Sequence, residues 1–295
     1  MGVEVASTEK HWFVGVDGSP DAKAALRWAV QFAVERSETV TPLSAWHLPL
    51  ALVAMAGRRG GDVDRIGMKA EAAVAADETL AAVDTKGVLD DAIIAEGHPA
   101  PLLLERASGD AVIVVGRRGI SALKHRLLGS VSQYLATHSE GPVVVVPADW
   151  DDRRCQRVVV GFDGSEHSAA ALRWALDIAP ARSDVIALIA IDVAPWLSAE
   201  RTEELYPDLI AEAAKRITDA ADAIDPLHRA DRSVVLHAPR QAFAEALADA
   251  DLVVVGPRGI GGLARAMLGS VSTWLLSDAP CPVAVVPSTH TSEES

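Results

Sequence analysis

Two stretches of this 295-residue chain combine residue types and spacing that suit a phosphorylated ligand. The first reads Gly116-x2-Gly119-x9-Gly129-Ser130 and the second Gly256-x2-Gly259-x9-Gly269-Ser270. Glycine lets a backbone come close to phosphate and leaves its N–H groups exposed as donors. A glycine-serine pair opening a helix adds the N–H groups and partial positive charge of the helix N-terminus. The hydroxyls of Ser130 and Ser132, and of Ser270 and Ser272, are further candidate donors. An aspartate accompanies each loop, Asp17 in the first half and Asp163 in the second. A carboxylate is too negative to sit against phosphate and suits ribose hydroxyls or a base amino group. Together these types point to a nucleotide. A plainer reading stands beside it, because glycines at strand-to-helix turns and Asp-Gly-Ser are ordinary turn chemistry. The recurrence of loop and aspartate together, once in each half, favours the ligand.

The halves repeat one another. WFVGVDGSPDAKAALRW at 12–28 reappears as VVVGFDGSEHSAAALRW at 158–174. VVGRRGISALKHRLLGSVS at 114–132 reappears as VVGPRGIGGLARAMLGSVS at 254–272. Each half closes on a short apolar run, PVVVVP at 142–147 and PVAVVP at 282–287. A period this long marks a duplicated domain rather than a solenoid. The domains are placed at 11–147 and 157–287, with charged 148–157 as the link and both chain ends as loose tails.

The elements that must position the loops alternate. Trp12–Asp17 reads as a strand, and Ser19 with Pro20 opens a helix whose apolar residues at 26, 29, 30 and 33 share one face. Ser165 caps the corresponding helix. Strands are expected over Val40–Trp46, Leu89–Glu96, Ala111–Val115 and Val143–Val146. Helices are expected near Lys69–Val83, Ala100–Ser108 and Ser130–His138, and the second copy follows the same order. Runs apolar on both faces, VIVV at 112–115 and LVVV at 252–255, need cover on both sides and imply a parallel sheet. The fold class is α/β: two tandem doubly wound domains, each a five-stranded parallel sheet with helices on both faces. In such sheets ligands bind beyond the carboxyl ends of the strands, where strand order reverses. Both aspartates and both glycine loops fall there.

Composition narrows the partners. Hydrophobic residues make up 49% and aromatics 4%, so the core is built of Ala, Val, Leu and Ile. Acidic residues outnumber basic ones, 41 to 27, and the net charge of −14 repels nucleic acid and anionic membranes. The two cysteines form no disulfide framework, and Cys281 reads as an inert strand-edge residue. No apolar signal core opens the chain, and Leu48–Gly57 is too short to span a bilayer. The expected location is cytoplasmic.

At these residues the chain resembles the universal stress protein family, whose ATP-binding members carry Gly-x2-Gly-x9-Gly-(Ser/Thr) and an aspartate ending strand one. Both halves carry this pattern, and the tandem arrangement is similar to that of two-domain actinobacterial members. The resemblance implies ATP as ligand, with Mg2+ on its phosphates. Asp17 and Asp163 would then contact adenosine, and Gly116, Gly119, Gly129 and Ser130, with Gly256, Gly259, Gly269 and Ser270, would hold phosphates. A strand-two backbone would meet adenine near Ala45 and Ile191, to within one residue. Pro257 stands where the first loop has Arg117, and the lost backbone donor is expected to make the two sites differ in affinity. The closing strands are apolar edges, so the halves are expected to pair as a pseudo-two-fold dimer through them. Further association of two chains and an unidentified protein partner complete the expected contacts.

Other constellations are weaker. There is no Gly-x4-Gly-Lys-(Ser/Thr), no Gly-x-Gly-x-x-Gly after strand one and no Gly-x-Ser-x-Gly, which argues against P-loop, NAD and hydrolase sites. The nine histidines show no metal spacing. His98 and His125 fall near the ligand face, His125 aligning with Arg265, while His237 reads as structural. Trp28 and Trp174 read as core or interface, and Arg58-Arg59-Gly60-Gly61 as a loop. The function expected is an ATP-binding switch or sensor in stress response. A slow ATPase or phosphotransferase on the same site is the alternative, and a non-binding interaction protein is a third reading that the intact motifs disfavour.

Overall fold

A computed structural model describes residues 10–48, 65–107, 109–120, 128–192, 199–260 and 267–288. The chain forms two compact units, Met1–Leu135 with Val145–Asp149, and Ala136–Val144 with Trp150–Ser295.

In the first unit β1 (His11–Gly15) is followed by α1 (Pro20–Arg36), β2 (Thr39–Trp46), α2 (Arg65–Ala81), β3 (Ile93–Glu96), α3 (Pro99–Arg106) and β4 (Val112–Gly116). The strands run parallel in the order β3-β2-β1-β4. β1 therefore has β2 on one side and β4 on the other, so strand order reverses between β1 and β4. α4 (Ser130–His138) and β5 (Val143–Val146) follow the glycine loop. The Val and Ile residues of β4 are buried, as a central strand covered on both faces requires.

α1 shows why the repeat folds as it does. The Ser19 hydroxyl accepts the Ala22 N–H at 3.1 Å, Pro20 supplies a pre-set φ, and Asp21 lies in the first turn. Leu26, Ala29, Val30 and Ala33 are buried, and the helix stops at Ser37 in a left-handed conformation (φ 57°). Trp28 is core: its ring lies 5.8 Å from that of Trp12 and 4.3 Å from that of Phe32. Trp174 is buried as well.

The second unit comprises β6 (Arg157–Gly161), α5 (Glu166–Ile178), β7 (Asp184–Ala190), α6 (Ala199–Leu205), α7 (Pro207–Ile224), β8 (Ala230–Val235), α8 (Pro239–Ala246), β9 (Leu252–Val255), α9 (Ser270–Asp278) and β10 (Val283–Val285). Its parallel order is β8-β7-β6-β9-β10.

Two expectations shift. The expected strand Leu89–Glu96 is regular only over Ile93–Glu96, with Leu89 forming an isolated bridge to Val40. The intervening Asp90 turns its carboxylate to the Thr41 hydroxyl at 2.9 Å, and aspartate suits strands poorly. Among the described residues between β7 and β8, two helices stand where one is expected, because Pro207 fits a first helical turn but not a helix interior. Among the described residues no helix is long and apolar enough to cross a membrane.

Candidate functional site

A cleft opens beyond the carboxyl ends of the strands in each unit, about 530 Å³ in the first and about 360 Å³ in the second. Asp17, Ala45, Gly116, Gly119, Gly129, Ser130 and Ser132 line the first. Asp163, Gly256, Gly259, Gly269, Ser270 and Ser272 line the second. Ile191 does not. Its N–H donates to the Val235 carbonyl at 2.9 Å, and Ala190 lines the cleft instead. The strand register corrects the assignment by one residue, since Gly15 pairs with Leu43 and Gly161 with Leu188, which makes Ala190 the counterpart of Ala45.

Each aspartate ties its turn to its glycine loop. Asp17 Oδ1 accepts the Ser19 N–H at 3.0 Å and Oδ2 accepts the Ile120 N–H at 3.1 Å. Asp163 accepts the Ser165 N–H at 3.0 Å and the Ile260 N–H at 2.8 Å. Burial pushes the Asp163 carboxyl up, but hydrogen bonds from Ser165, Ile260 and Ser168 outweigh it and hold the group below the ordinary carboxylate range.

The glycines have a tertiary reason. A Cβ on Gly119 would lie 2.6 Å from Asp17 Oδ2, and one on Gly259 would clash likewise with Asp163. A Cβ on Gly116 would lie 2.6 Å from the Asp21 backbone carbon, and one on Gly129 would lie 2.9 Å from the Arg117 carbonyl. Gly119 and Gly259 let each loop lie against its aspartate turn, Gly116 lets the first lie against the start of α1, and Gly129 lets it fold back on itself.

Gly129 and Gly269 begin the helices that close the loops. The Gly129 N–H donates to the Arg117 carbonyl at 2.9 Å and the Gly269 N–H to the Pro257 carbonyl at 2.7 Å. The first N–H groups of α4 and α9 have no intrahelical acceptors and bring partial positive charge to the cleft. Ser130 and Ser270 are exposed there. Ser132 and Ser272 are buried, and their role differs from the donors expected. The Ser132 hydroxyl donates to the Arg117 carbonyl at 2.9 Å, with that of Gly129 at 3.0 Å, and Ser272 donates to the Gly256 carbonyl at 2.8 Å. A hydroxyl proton spent on the loop backbone holds the loop and does not serve a ligand.

The reason expected for unequal sites also changes. The Arg117 N–H donates to the Val146 carbonyl at 2.9 Å, so Pro257 removes a sheet bond and not a cleft donor. The larger difference lies beneath the loops. Buried Asp21 accepts the Arg118 N–H at 3.2 Å, with the Arg118 guanidinium 3.6 Å away. Burial raises the Asp21 carboxyl above its ordinary range, and the Arg118 and Arg117 charges only partly offset this. The second copy has His167 at this place. Its Nδ1 accepts the Ser288 N–H at 2.9 Å, and its Nε2 lies 3.2 Å from the Arg258 guanidinium. Neither Asp21 nor His167 stood out in the sequence, although the aligned repeats show the exchange at this position.

The remaining candidates are placed as follows. His98 lies against His47, ring centroids 4.3 Å apart with the planes tilted by 37°, and His47 lines the first cleft. His237 lies 3.9 Å from the Glu245 carboxylate. Cys155 and Cys281 are buried, and neither is in a disulfide. His125, Arg265 and Arg58–Gly61 lie outside the described residues. Among the described residues no group of three or more His, Cys, Asp or Glu is arranged to hold a metal ion. Each cleft thus offers backbone N–H donors and an arginine for an anion, and a carboxylate able to accept from hydroxyls.

The chain matches the model of the Universal stress protein family twice, over residues 10–147 and 155–287. It is 33% identical to a universal stress protein of Mycolicibacterium smegmatis, covering 95% of this chain and 98% of the relative. It is 30% identical to one from Mycobacterium tuberculosis, over 92% of this chain and 93% of the relative. The crystal structure of a universal stress protein from Archaeoglobus fulgidus has the same fold, with a TM-score of 0.64 at 19% identity, covering 95% of this chain and 99% of that one.

Proposed function

The chain belongs to the universal stress protein family, and on that premise we propose that it is an ATP-binding switch or sensor of the stress response with one nucleotide site in each half. The observation that carries this reading is the twofold recurrence of one joint. Asp17 accepts the Ile120 N–H and Asp163 the Ile260 N–H, each beside a cleft that a helix N-terminus also lines. This arrangement sets acceptors for ribose hydroxyls next to donors for phosphate, the pairing a nucleotide needs. Both clefts fall in the usual size range of small-molecule sites, roughly 300–1,000 Å³.

In this reading the loop N–H groups, the start of α4 or α9 and the exposed hydroxyls of Ser130 and Ser270 hold the phosphates. The backbone at Ala45 and Ala190 meets adenine. Mg2+ would enter with the ATP phosphates and neutralise part of their charge, the usual mode for this ion where the protein offers no dedicated ligand set. Neither loop has a carboxylate between its first glycine and its closing serine. Hydrolysis needs a base or positioning group at the γ-phosphate, so the site holds ATP and its output is a change of shape or partner.

Mass spectrometry of the denatured, freshly purified chain is the direct test, followed by calorimetric titration of the nucleotide-free protein with ATP. Adenine nucleotide released in stoichiometric amount and two ATP bound per chain are expected. A chain that releases none and shows no heat with ATP overturns the reading.

A further inference from the structure

The turn that carries the aspartate has one conformation in both halves and different support. Gly18 and Gly164 occupy the left-handed region at φ +84° and +83°. In the second half the support is local. The Asp163 N–H points to the Ser168 hydroxyl at 3.4 Å, and Ser168 belongs to α5, the helix that the turn itself leads into. A Cβ on Gly164 would meet nothing within 4 Å. In the first half the repeat places Ala22 at the position of Ser168, so that hydroxyl is missing. A residue 61 positions away instead holds the next N–H of the turn: the Gly18 N–H donates to Thr79 Oγ1 at 3.0 Å. Thr79 lies on α2 and is fully buried, and its hydroxyl donates onward to the Ala75 carbonyl at 2.8 Å. Ala75 packs on the same turn, its Cβ 3.5 Å from where a Gly18 Cβ would stand.

Resting on the ATP-binding reading, we infer that Thr79 is a positioning residue for Asp17 and couples occupancy of the first cleft to helix α2, a coupling with no counterpart among the described residues of the second half. The Asp17-Gly18-Ser19 backbone is gripped at consecutive points. Ile120 and Ser19 bind the carboxylate, and Thr79 binds the next N–H. A ligand that draws on the Asp17 carboxylate pulls on the same turn that α2 holds. A ligand at Asp163 pulls on a turn that, among the described residues, is held by the start of α5 and by the Ile260 N–H. Coupling of this kind is reciprocal, so whatever orders α2 tightens the first site, and whatever fills the first site orders α2.

The test uses the full chain with Asp163→Ala, so that the first cleft alone reports. Thr79→Val keeps the shape and removes the hydroxyl, and Thr79→Ser keeps the hydroxyl. Losing one hydrogen bond that fixes a binding group is expected to weaken ATP binding roughly tenfold in Thr79→Val. Thr79→Ser binds as the parent does. Hydrogen exchange on the unmutated chain gives a measurement independent of any substitution: saturating ATP slows exchange over 65–81 and leaves 207–224 unchanged. In Thr79→Val the protection of 65–81 is lost even at saturation. Unchanged affinity in a folded Thr79→Val chain, or no ATP-dependent protection of α2 in the unmutated chain, overturns the inference while ATP binding stands. Failure of the unmutated chain to bind ATP at all overturns the parent reading instead.

Discussion

Asp17 and Ile120 stand 103 residues apart in the chain and are joined by one hydrogen bond, the Ile120 N–H donating to Asp17 Oδ2 at 3.1 Å. Asp163 and Ile260 repeat the bond at 2.8 Å. It fixes the spacing between the carboxylate and the loop backbone, and hence the spacing between any hydroxyl and phosphate held by them. The glycine just before each isoleucine is what allows the approach.

Gly119→Ala should therefore weaken ATP binding in the first cleft by roughly tenfold or more, because the new methyl meets Asp17 Oδ2 at 2.6 Å and must push it off Ile120. Gly269→Ala should bind almost as the parent does, since its methyl would stand at ordinary contact, 3.4 Å from the Pro257 carbonyl. Titration calorimetry of the two variants distinguishes a loop built around the aspartate from one in which every glycine matters equally.

Asp17→Ala is expected to lower affinity in the first half and leave the second intact, and Asp163→Ala the reverse. Each carboxylate has partners only within its own unit among the hydrogen bonds described. A two-site titration in which either substitution abolishes both binding events without unfolding would contradict independent sites.

Ser132→Ala should cost about 1 kcal/mol of stability, since it removes a buried hydroxyl that donates to the loop backbone and leaves the Arg117 carbonyl with the Gly129 N–H alone of these two donors. Ser130→Ala, at an exposed position, should change stability by less than about 0.5 kcal/mol and act on nucleotide affinity alone. Denaturant unfolding beside ATP titration separates the two serines.

Acid should act through Asp163 and Asp21 in opposite directions. The Asp163 carboxyl is held below its ordinary value of 3.8, so its stabilising contribution is complete above that pH. As pH falls from about 4 through the lower folded value, the unfolded chain takes up the proton first and the contribution is lost. Asp163→Asn should flatten this loss in unfolding curves taken between pH 5 and pH 3. Asp21 is raised, so the folded chain takes up its proton first and acidification there adds stability. Asp21→Asn should remove that gain.

Turnover should be slower than about 0.1 per second, against an enzyme median of about 10 per second. Neither loop carries a carboxylate, and Arg265 replaces the one histidine of the first loop in the second copy. Steady-state phosphate release from protein freed of contaminating ATPase measures it. Fast turnover that disappears in His125→Ala would promote the enzyme alternative.

The duplicated sequence by itself determined the two α/β units, the helices capped by Ser19 and Ser165, the buried central strands and the aspartates, glycines and serines that gather at each cleft. These follow from short-range signals: turn glycines, caps, and apolar runs whose period reports which faces are covered. Ala190 in place of Ile191 depended on strand register, which pairs residues across space and which repeat alignment misses by one across a loop of different length. Tertiary packing alone decided that Ser132 and Ser272 hold the loop, that Gly119 exists for Asp17, and that Thr79 holds the Gly18 N–H of the aspartate turn. A hydroxyl, a methyl-free Cα and a left-handed turn carry no mark of their partners in a linear chain. Their roles arise only when α2, the aspartate turn and the glycine loop are brought within hydrogen-bond distance, and that distance is set by the packing of helices on the sheet.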